Sequence, residues 1–204
     1  MIWPLKNKIP ALPALNGVGD FASRRSFYHH PGVDIYCDFG QEVVAIEDGI
    51  VTNIEFFTGP NAVPTSPWWN ETQSIMIEGK SGALGYCELK TAVNLEVGQQ
   101  VYKDQVIGFI IPVLKKDKGN GTTMLHFEQY MPNTKEHVTW VLDKEMPSTL
   151  LNPRPLLEKI MTHPTLVRGL RDGLAGISPT DATSEYLCGY LAGRKDFLSK
   201  QSIT

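Results

Sequence analysis

The sequence has few cysteines and no closely spaced cysteine pair, which excludes two classes of small protein. Among 204 residues only Cys37, Cys87 and Cys188 are cysteine, and no CxxC is present. A disulfide framework needs an even set of paired cysteines, and a thiolate zinc knuckle needs two cysteines close together. We therefore expect three isolated, buried thiols.

A long apolar run and an excess of positive charge are also missing. No stretch approaches the ~20 apolar residues of a membrane span. The apolar start of the chain is broken by Pro4, Pro10 and Pro13, so it contains no signal-peptide core. The net charge of -3 gives no basis for binding nucleic acid or an anionic membrane. We expect a soluble protein, either cytoplasmic or exported by a non-classical or phage-type route. The sequence does not define its oligomeric state.

Short strand-like runs dominate the chain from Val33 to about Glu128. Turn signals, many of them glycines, separate the runs, which include VDIY, EVVAI, IVTNIEFF, SIMIEG, ALGYCEL, VIGFII and MLHFEQY. This spacing predicts a mainly β fold built on a small antiparallel sheet or sandwich.

The pattern changes after Tyr130, first to an irregular connection and then to helical spacing in LLEKIMTHP and ATSEYLCGYLAGRKDFL. We expect a β domain over 1–152, with its core at about 17–130, and a helical C-terminal appendage over 153–204. The appendage either packs on the domain or presents a helix to a partner.

One long loop, 57–73, interrupts the rhythm of strands and contains three prolines. Long loops in compact domains often carry function. Trp68 and Trp69 within it either cover the sheet or stack on a ligand, so both are candidate substrate-binding residues.

Two short motifs, HHPGVD and MLHFE, contain residue types that bind metals. His30 and Asp34 are four residues apart, and the Pro31-Gly32 turn between them allows both side chains to point inward. His126 lies in a strand-like run, where alternation predicts that Met124, His126 and Glu128 share one face. Two imidazoles and a carboxylate match a zinc site with three protein ligands. Taken alone, a histidine in an apolar strand is more often a core residue than a ligand.

A third motif, YCEL, follows the same strand alternation. It predicts that Tyr86 and Glu88 share a face, with Cys87 and Leu89 on the other. Tyr86 is a further candidate for binding substrate. His29 adjoins His30 but should point away from it in an extended segment. His137 and His163 lie outside the motifs and are expected to be surface or structural residues.

Together the motifs resemble the lysostaphin-type zinc metallopeptidases, which cut peptidoglycan cross-links. The resemblance covers about 17–130 and rests on ordered landmarks: GDFASR, HPGVDIYCDFGQEVVAIEDGIV, YCEL, VGQQVYKDQVIG and LHFE. It implies a small antiparallel β fold with zinc in a groove on one sheet. It also implies that the zinc ligands are His30, Asp34 and His126.

The sequence departs from this family at two positions where the family keeps proton-transfer histidines. They are Glu88 and Met124 here. Methionine donates no strong hydrogen bond and transfers no proton. Glu88 has two open interpretations: a general base beside zinc-bound water, or a fourth ligand that closes the site.

Two functional hypotheses follow, in addition to a β domain that binds no metal. The first is a zinc-binding protein of this family with altered or lost peptidase activity, which keeps the metal site and groove. The alternative is an active zinc endopeptidase that cuts peptidoglycan cross-links or another peptide, with Glu88 as its catalytic general base.

Overall fold

The computed structural model describes residues 1–116 and 123–201. Within these ranges it contains eleven strands followed by three helices. The strands are β1 (Tyr28–His29), β2 (Val33–Tyr36), β3 (Glu42–Val44), β4 (Gly49–Thr58), β5 (Thr72–Gly79), β6 (Gly82–Thr91), β7 (Gln100–Val101), β8 (Val106–Ile110), β9 (Met124–Tyr130), β10 (Trp140–Val141) and β11 (Leu150–Leu151). The helices are α1 (Arg154–Met161), α2 (Pro164–Leu174) and α3 (Ser184–Gln201).

The centre of the molecule is a meander of the three longest consecutive strands, β4, β5 and β6. Strand β9 continues the sheet beyond β6, and β2 and β11 both pair with the opposite edge of β9. Every named strand pairing is antiparallel. The predicted mainly antiparallel β fold with C-terminal helices is therefore confirmed.

A small hydrophobic cluster of Met76, Ala83, Tyr130 and Leu150 is separate from the main hydrophobic core, which lies on the other face of the sheet. Alternate residues of β2 and β9 enter the main core because side chains of a strand point to opposite faces in turn. The first residues of the chain also enter the core, where Trp3 is fully buried. Helices α1 and α2 contribute to the same cluster, whose members include Leu5, Val33, Ile35, Ile75, Tyr86, Leu125, Phe127, Leu157, Ile160 and Leu166.

The helices α2 and α3 pack with their backbones in direct contact. A Cβ atom added at Gly189 would lie 2.1 Å from the carbonyl oxygen of Leu166, and one at Gly169 would lie 2.1 Å from that of Tyr186. Glycine is therefore required at this crossing because any side chain would force the helices apart. In the part of the chain that the structure describes, no helix has the length and apolarity needed to cross a membrane.

Candidate metal centre

Strand pairing brings Asp34 and His126 together. They are register partners in the antiparallel pair β2–β9. Their neighbours Ile35 and Phe127 point into the core, so Asp34 and His126 occupy the opposite face. A slip of one residue would exchange the two faces, and the burial of the apolar residues prevents that slip.

His30 reaches the same place from the segment before β2. Its backbone is held by two hydrogen bonds: its N–H donates to the carbonyl of Ser23, and its carbonyl accepts from the N–H of Ala22. The following turn passes close over β9. A Cβ at Gly32 would lie 2.6 Å from the Phe127 carbonyl oxygen and 2.9 Å from the His126 ring. Glycine at position 32 is thus a condition for bringing His30 to His126.

Three potential ligand atoms converge at this point. His30 Nε2 lies 3.0 Å from His126 Nδ1, and Asp34 Oδ1 lies 3.0 Å from the first and 2.9 Å from the second. All three residues are buried. Two imidazole nitrogens and a carboxylate oxygen are donors that zinc accepts.

The outer nitrogen of each imidazole has a hydrogen-bond acceptor. His30 Nδ1 donates to the backbone carbonyl of Asp20 at 2.9 Å. His126 Nε2 donates to Glu128 Oε1, also at 2.9 Å. Because a neutral imidazole carries one proton, these bonds would leave the lone pair of each inner nitrogen free for a bound ion once the rings are neutral. The donor set and its tautomers therefore fit a zinc ion.

Charged neighbours fix the carboxylates of the site. Arg25 donates to Asp34 Oδ2 at 3.1 Å, so one oxygen of Asp34 is anchored and the other faces the histidines. Burial alone would raise the pKa of Asp34, but hydrogen bonds from His126 and His30 outweigh it and hold the pKa well below its usual range. For Glu128 as well, burial is outweighed, here by the charges of His137 and His126 and by hydrogen bonds from both rings, and its pKa falls. The site thus stabilises positive charge between ionised carboxylates.

The face assignment predicted for YCEL is wrong, because the strand contains a bulge at Glu88. Ser74 pairs with Cys87 while the next partner, Gln73, pairs with Leu89. Glu88 is the extra residue, with a φ of 66°. Tyr86 and Leu89 consequently both enter the core. Cys87 is the register partner of His126 and so shares its face.

Glu88 lies beside the three-residue cluster and interacts electrostatically with Asp34 and His126. Burial, reinforced by the negative charge of Asp34 and opposed by the charges of His126 and Arg25, raises the pKa of Glu88 to about 8. Its Oε2 is buried without a hydrogen-bond partner, as is Nε of Arg25. Glu88 is not part of the group formed by His30, Asp34 and His126, whose ligand atoms all lie within 4.8 Å of one another.

The proposed substrate-binding residues have different surroundings. The ring of Tyr86 is fully buried, and its hydroxyl accepts a hydrogen bond from the Ile46 N–H at 3.1 Å. This placement does not fit a substrate contact. Trp68 is 67% exposed on the loop 57–73. Trp69 is half-buried and its backbone bridges to Leu114. A role for either tryptophan in binding remains a prediction.

The three remaining histidines have different surroundings. His29 packs against Trp140 with the rings tilted by 37° and their centroids 4.6 Å apart. His163 precedes α2 as its N-cap residue. His137 contacts Glu128 and so belongs to the surroundings of His126. The alternation in MLHFE indicated the position of Glu128, but no signal in the sequence pointed to Arg25 or His137 as its companions.

Comparisons with known proteins identify a matching family and several similar structures. The sequence model described as peptidase family M23 matches residues 28–139. No curated protein matches the sequence. Among solved structures, CbpA from L. salivarius REN is 17% identical, with a TM-score of 0.47; the match covers 79% of this chain and 99% of that one. Lysostaphin is 19% identical with a TM-score of 0.43, and the match covers 70% of this chain and 55% of lysostaphin.

A zinc-containing peptidase from Vibrio cholerae is similar at 18% identity with a TM-score of 0.39; the match covers 71% of this chain and 41% of that chain. The family match begins at β1 and includes β2, β6 and β9, which carry the candidate site. Because it spans more than half of the 204 residues, the chain belongs to peptidase family M23.

Proposed function

We propose that this protein is a zinc-binding M23 hydrolase with altered machinery, in which Glu88 performs the proton transfer of a missing histidine. The observation that carries the proposal is the unpartnered carboxylate oxygen of Glu88 beside the group His30, Asp34 and His126. A buried carboxylate oxygen without a partner is costly unless it serves a ligand or a reaction.

The metal would be held by His30 Nε2, Asp34 Oδ1 and His126 Nδ1. A zinc ion held there would lower the pKa of a coordinated water to about 7 and polarise a substrate carbonyl. Three protein ligands leave a position open for this chemistry. Support for three ligands rather than four comes from Glu88, which stays outside the converging atoms.

Glu88 would accept a proton from the attacking water and pass it to the leaving amine. A divalent ion nearby favours the charged form of a carboxyl group, so the pKa of Glu88 should fall from about 8 when the site is loaded. Glu88 is then ionised at neutral pH and able to act as a base. Positioned proton transfer typically contributes ~10²–10⁴-fold to a rate.

The substrate class follows from family membership: a peptide or amide bond, with the cross-links of peptidoglycan as the first candidates. Trp68 is the exposed aromatic residue of the 57–73 loop and is available to stack on such a ligand. Arg25, whose Nε lacks a partner, supplies a fixed positive charge beside Glu88 and Asp34.

A second candidate function is a zinc-binding module that recognises a peptide without cutting it. Met124 favours this alternative. It lies in register with Tyr36 at the end of β9 nearest the site, and its thioether cannot replace a histidine that donates to a developing oxyanion. Loss of one such donor costs on the order of 10²–10³-fold in rate.

Turnover of cross-linked peptidoglycan and of short glycine- or alanine-containing peptides separates the two candidates. We expect slow zinc-dependent turnover by the wild type, at least tenfold less by Glu88→Gln, and a gain from Met124→His. Absence of turnover by the wild type with bound zinc at every pH would leave the binding module as the function. Metal analysis of His126→Ala, which should retain no zinc at this site, checks the ligand assignment separately.

A further inference from the structure

Each carboxylate oxygen of Glu128 accepts a hydrogen bond from a different histidine. Oε1 accepts from His126 Nε2 at 2.9 Å, as described above, and Oε2 accepts from His137 Nδ1. The side of Glu128 away from His126 therefore has its own set of polar side chains. Cys87, Glu128 and His137 form a second group whose potential ligand atoms all lie within 4.8 Å of one another.

The sheet and the loop after β9 build this second group. Gly85 and Cys87 of β6 are register partners of Glu128 and His126, so all four residues lie on the same face. The missing side chain at Gly85 leaves space for the ring of His137. A Cβ there would lie 2.9 Å from His137 Cε1. The chain thus places an imidazole over β6, next to a thiol and a carboxylate.

Two of the three donors are fully enclosed, and His137 is half-buried. Cys87 has no exposed surface and Glu128 is 1% exposed. The Cys87 sulfur lies 3.9 Å from Nδ1 and 4.0 Å from Nε2 of His137. The ring of Phe57 contacts both histidines, with its centroid 5.3 Å from that of His137 and 5.6 Å from that of His126.

We propose that Cys87, Glu128 and His137 form a second metal site, selective for zinc-class divalent ions and separate from the first. A thiolate, an imidazole and a carboxylate suit Zn²⁺ or Co²⁺ and disfavour Mg²⁺ and Ca²⁺, which prefer oxygen ligands alone. Glu55 adds negative charge, with Oε1 3.8 Å from His137 Nε2. Binding requires a deprotonated thiol, so uptake of the ion releases a proton.

The two ions would lie on opposite sides of one carboxylate. The first site uses the inner nitrogen of His126, whose outer nitrogen donates to Glu128 Oε1, whereas the second uses Oε2 and His137. The second ion would tie the loop after β9 to β6 and fix the orientation of Glu128. Its role would be structural, because Cys87 and Glu128 are buried and leave a substrate little access to the ion.

Cobalt spectroscopy tests the proposal, since a thiolate bound to Co²⁺ gives a near-ultraviolet charge-transfer band that imidazole and carboxylate ligands do not give. The full chain is stripped of metal and titrated with Co²⁺, and bound metal is counted by elemental analysis. We expect the band at saturation and two ions per chain. Cys87→Ser, a nearly isosteric change, should lose the band and one ion. The control Cys188→Ser, which removes another buried thiol, should keep both.

Either of two results overturns the second site: no thiolate band in saturated wild type, or a band that survives in Cys87→Ser. His126→Ala keeps this test separate from the proposed function. It should lose one ion and retain the band. If His126→Ala binds as much metal as the wild type while the band depends on Cys87, the first assignment fails and the second stands.

Discussion

Glu88 should make the metal-free protein less stable as the pH rises, and replacement by glutamine should remove that effect. The folded-state pKa of Glu88, about 8, lies above the value of 4.5 for a free glutamate because burial disfavours its charge. Between these two pH values the folded state binds more protons than the unfolded state. The free energy of unfolding therefore falls with increasing pH across this window, by about 4 kcal/mol from this residue.

Glutamine has nearly the shape of glutamate and carries no charge at any pH. We expect the stability difference between Glu88→Gln and the wild type to change by about 4 kcal/mol in favour of the variant between pH 4.5 and pH 8. Urea denaturation of both metal-stripped proteins at several pH values measures this difference in unfolding free energy. Glu136→Gln, at an exposed position, is the matched control and should show no such trend.

If the difference in unfolding free energy between Glu88→Gln and the wild type stays constant across this pH range, the reasoning is refuted. A constant difference would mean that Glu88 has the same pKa in the folded and unfolded states. With zinc bound the trend should weaken, since the ion favours the carboxylate. An unchanged trend in zinc-loaded protein would place Glu88 too far from the metal to act as its base.

Two further predictions concern the surroundings of the site and the helices. Glu128→Gln should weaken zinc binding at the first site by ~10–100-fold, measured by competition with a chelator, because the His126 ring loses its charged hydrogen-bond partner. An unchanged affinity would show that Glu128 does not orient His126. Gly189→Ala should lower the unfolding free energy by about 1–3 kcal/mol in urea titrations, because its Cβ would collide with the Leu166 carbonyl oxygen. Equal stability would mean that α2 and α3 separate without cost.

The sequence was sufficient to predict the longer strands between Val33 and Tyr130, but not the short strands β1, β10 and β11, and it predicted the group of His30, Asp34 and His126. The reason is periodicity: apolar residues alternate along β2 and β9, and a strand that buries one face has a defined register. Residues two apart, such as His126 and Glu128, are then necessarily on the same side. The motifs that contain and surround these three residues occur in the order and at the spacing of the family, so the family could be recognised.

The surroundings of the group could not be predicted in the same way. Alternation assigned Tyr86 and Glu88 to one face because it assumes a regular strand. The bulge inserts one extra residue, so the alternation of faces shifts by one position after Cys87. His137 and Arg25 reach the site from segments outside the long strands, where no period relates position to direction. Such contacts depend on the conformation of loops, and loops have no regular hydrophobic period from which side-chain direction can be predicted.

The bulge at Glu88 gives this position unusual freedom to change. A bulged residue stands outside the regular ladder and need not fill the core, so its side chain can be replaced without repacking Tyr86 or Leu89. Its left-handed backbone, φ 66°, adds a cost that any residue with a side chain shares. The packing of the core is thus independent of the side chain at position 88. A side chain of different chemistry can therefore be presented beside Asp34 and His126 while the strands around it keep their register.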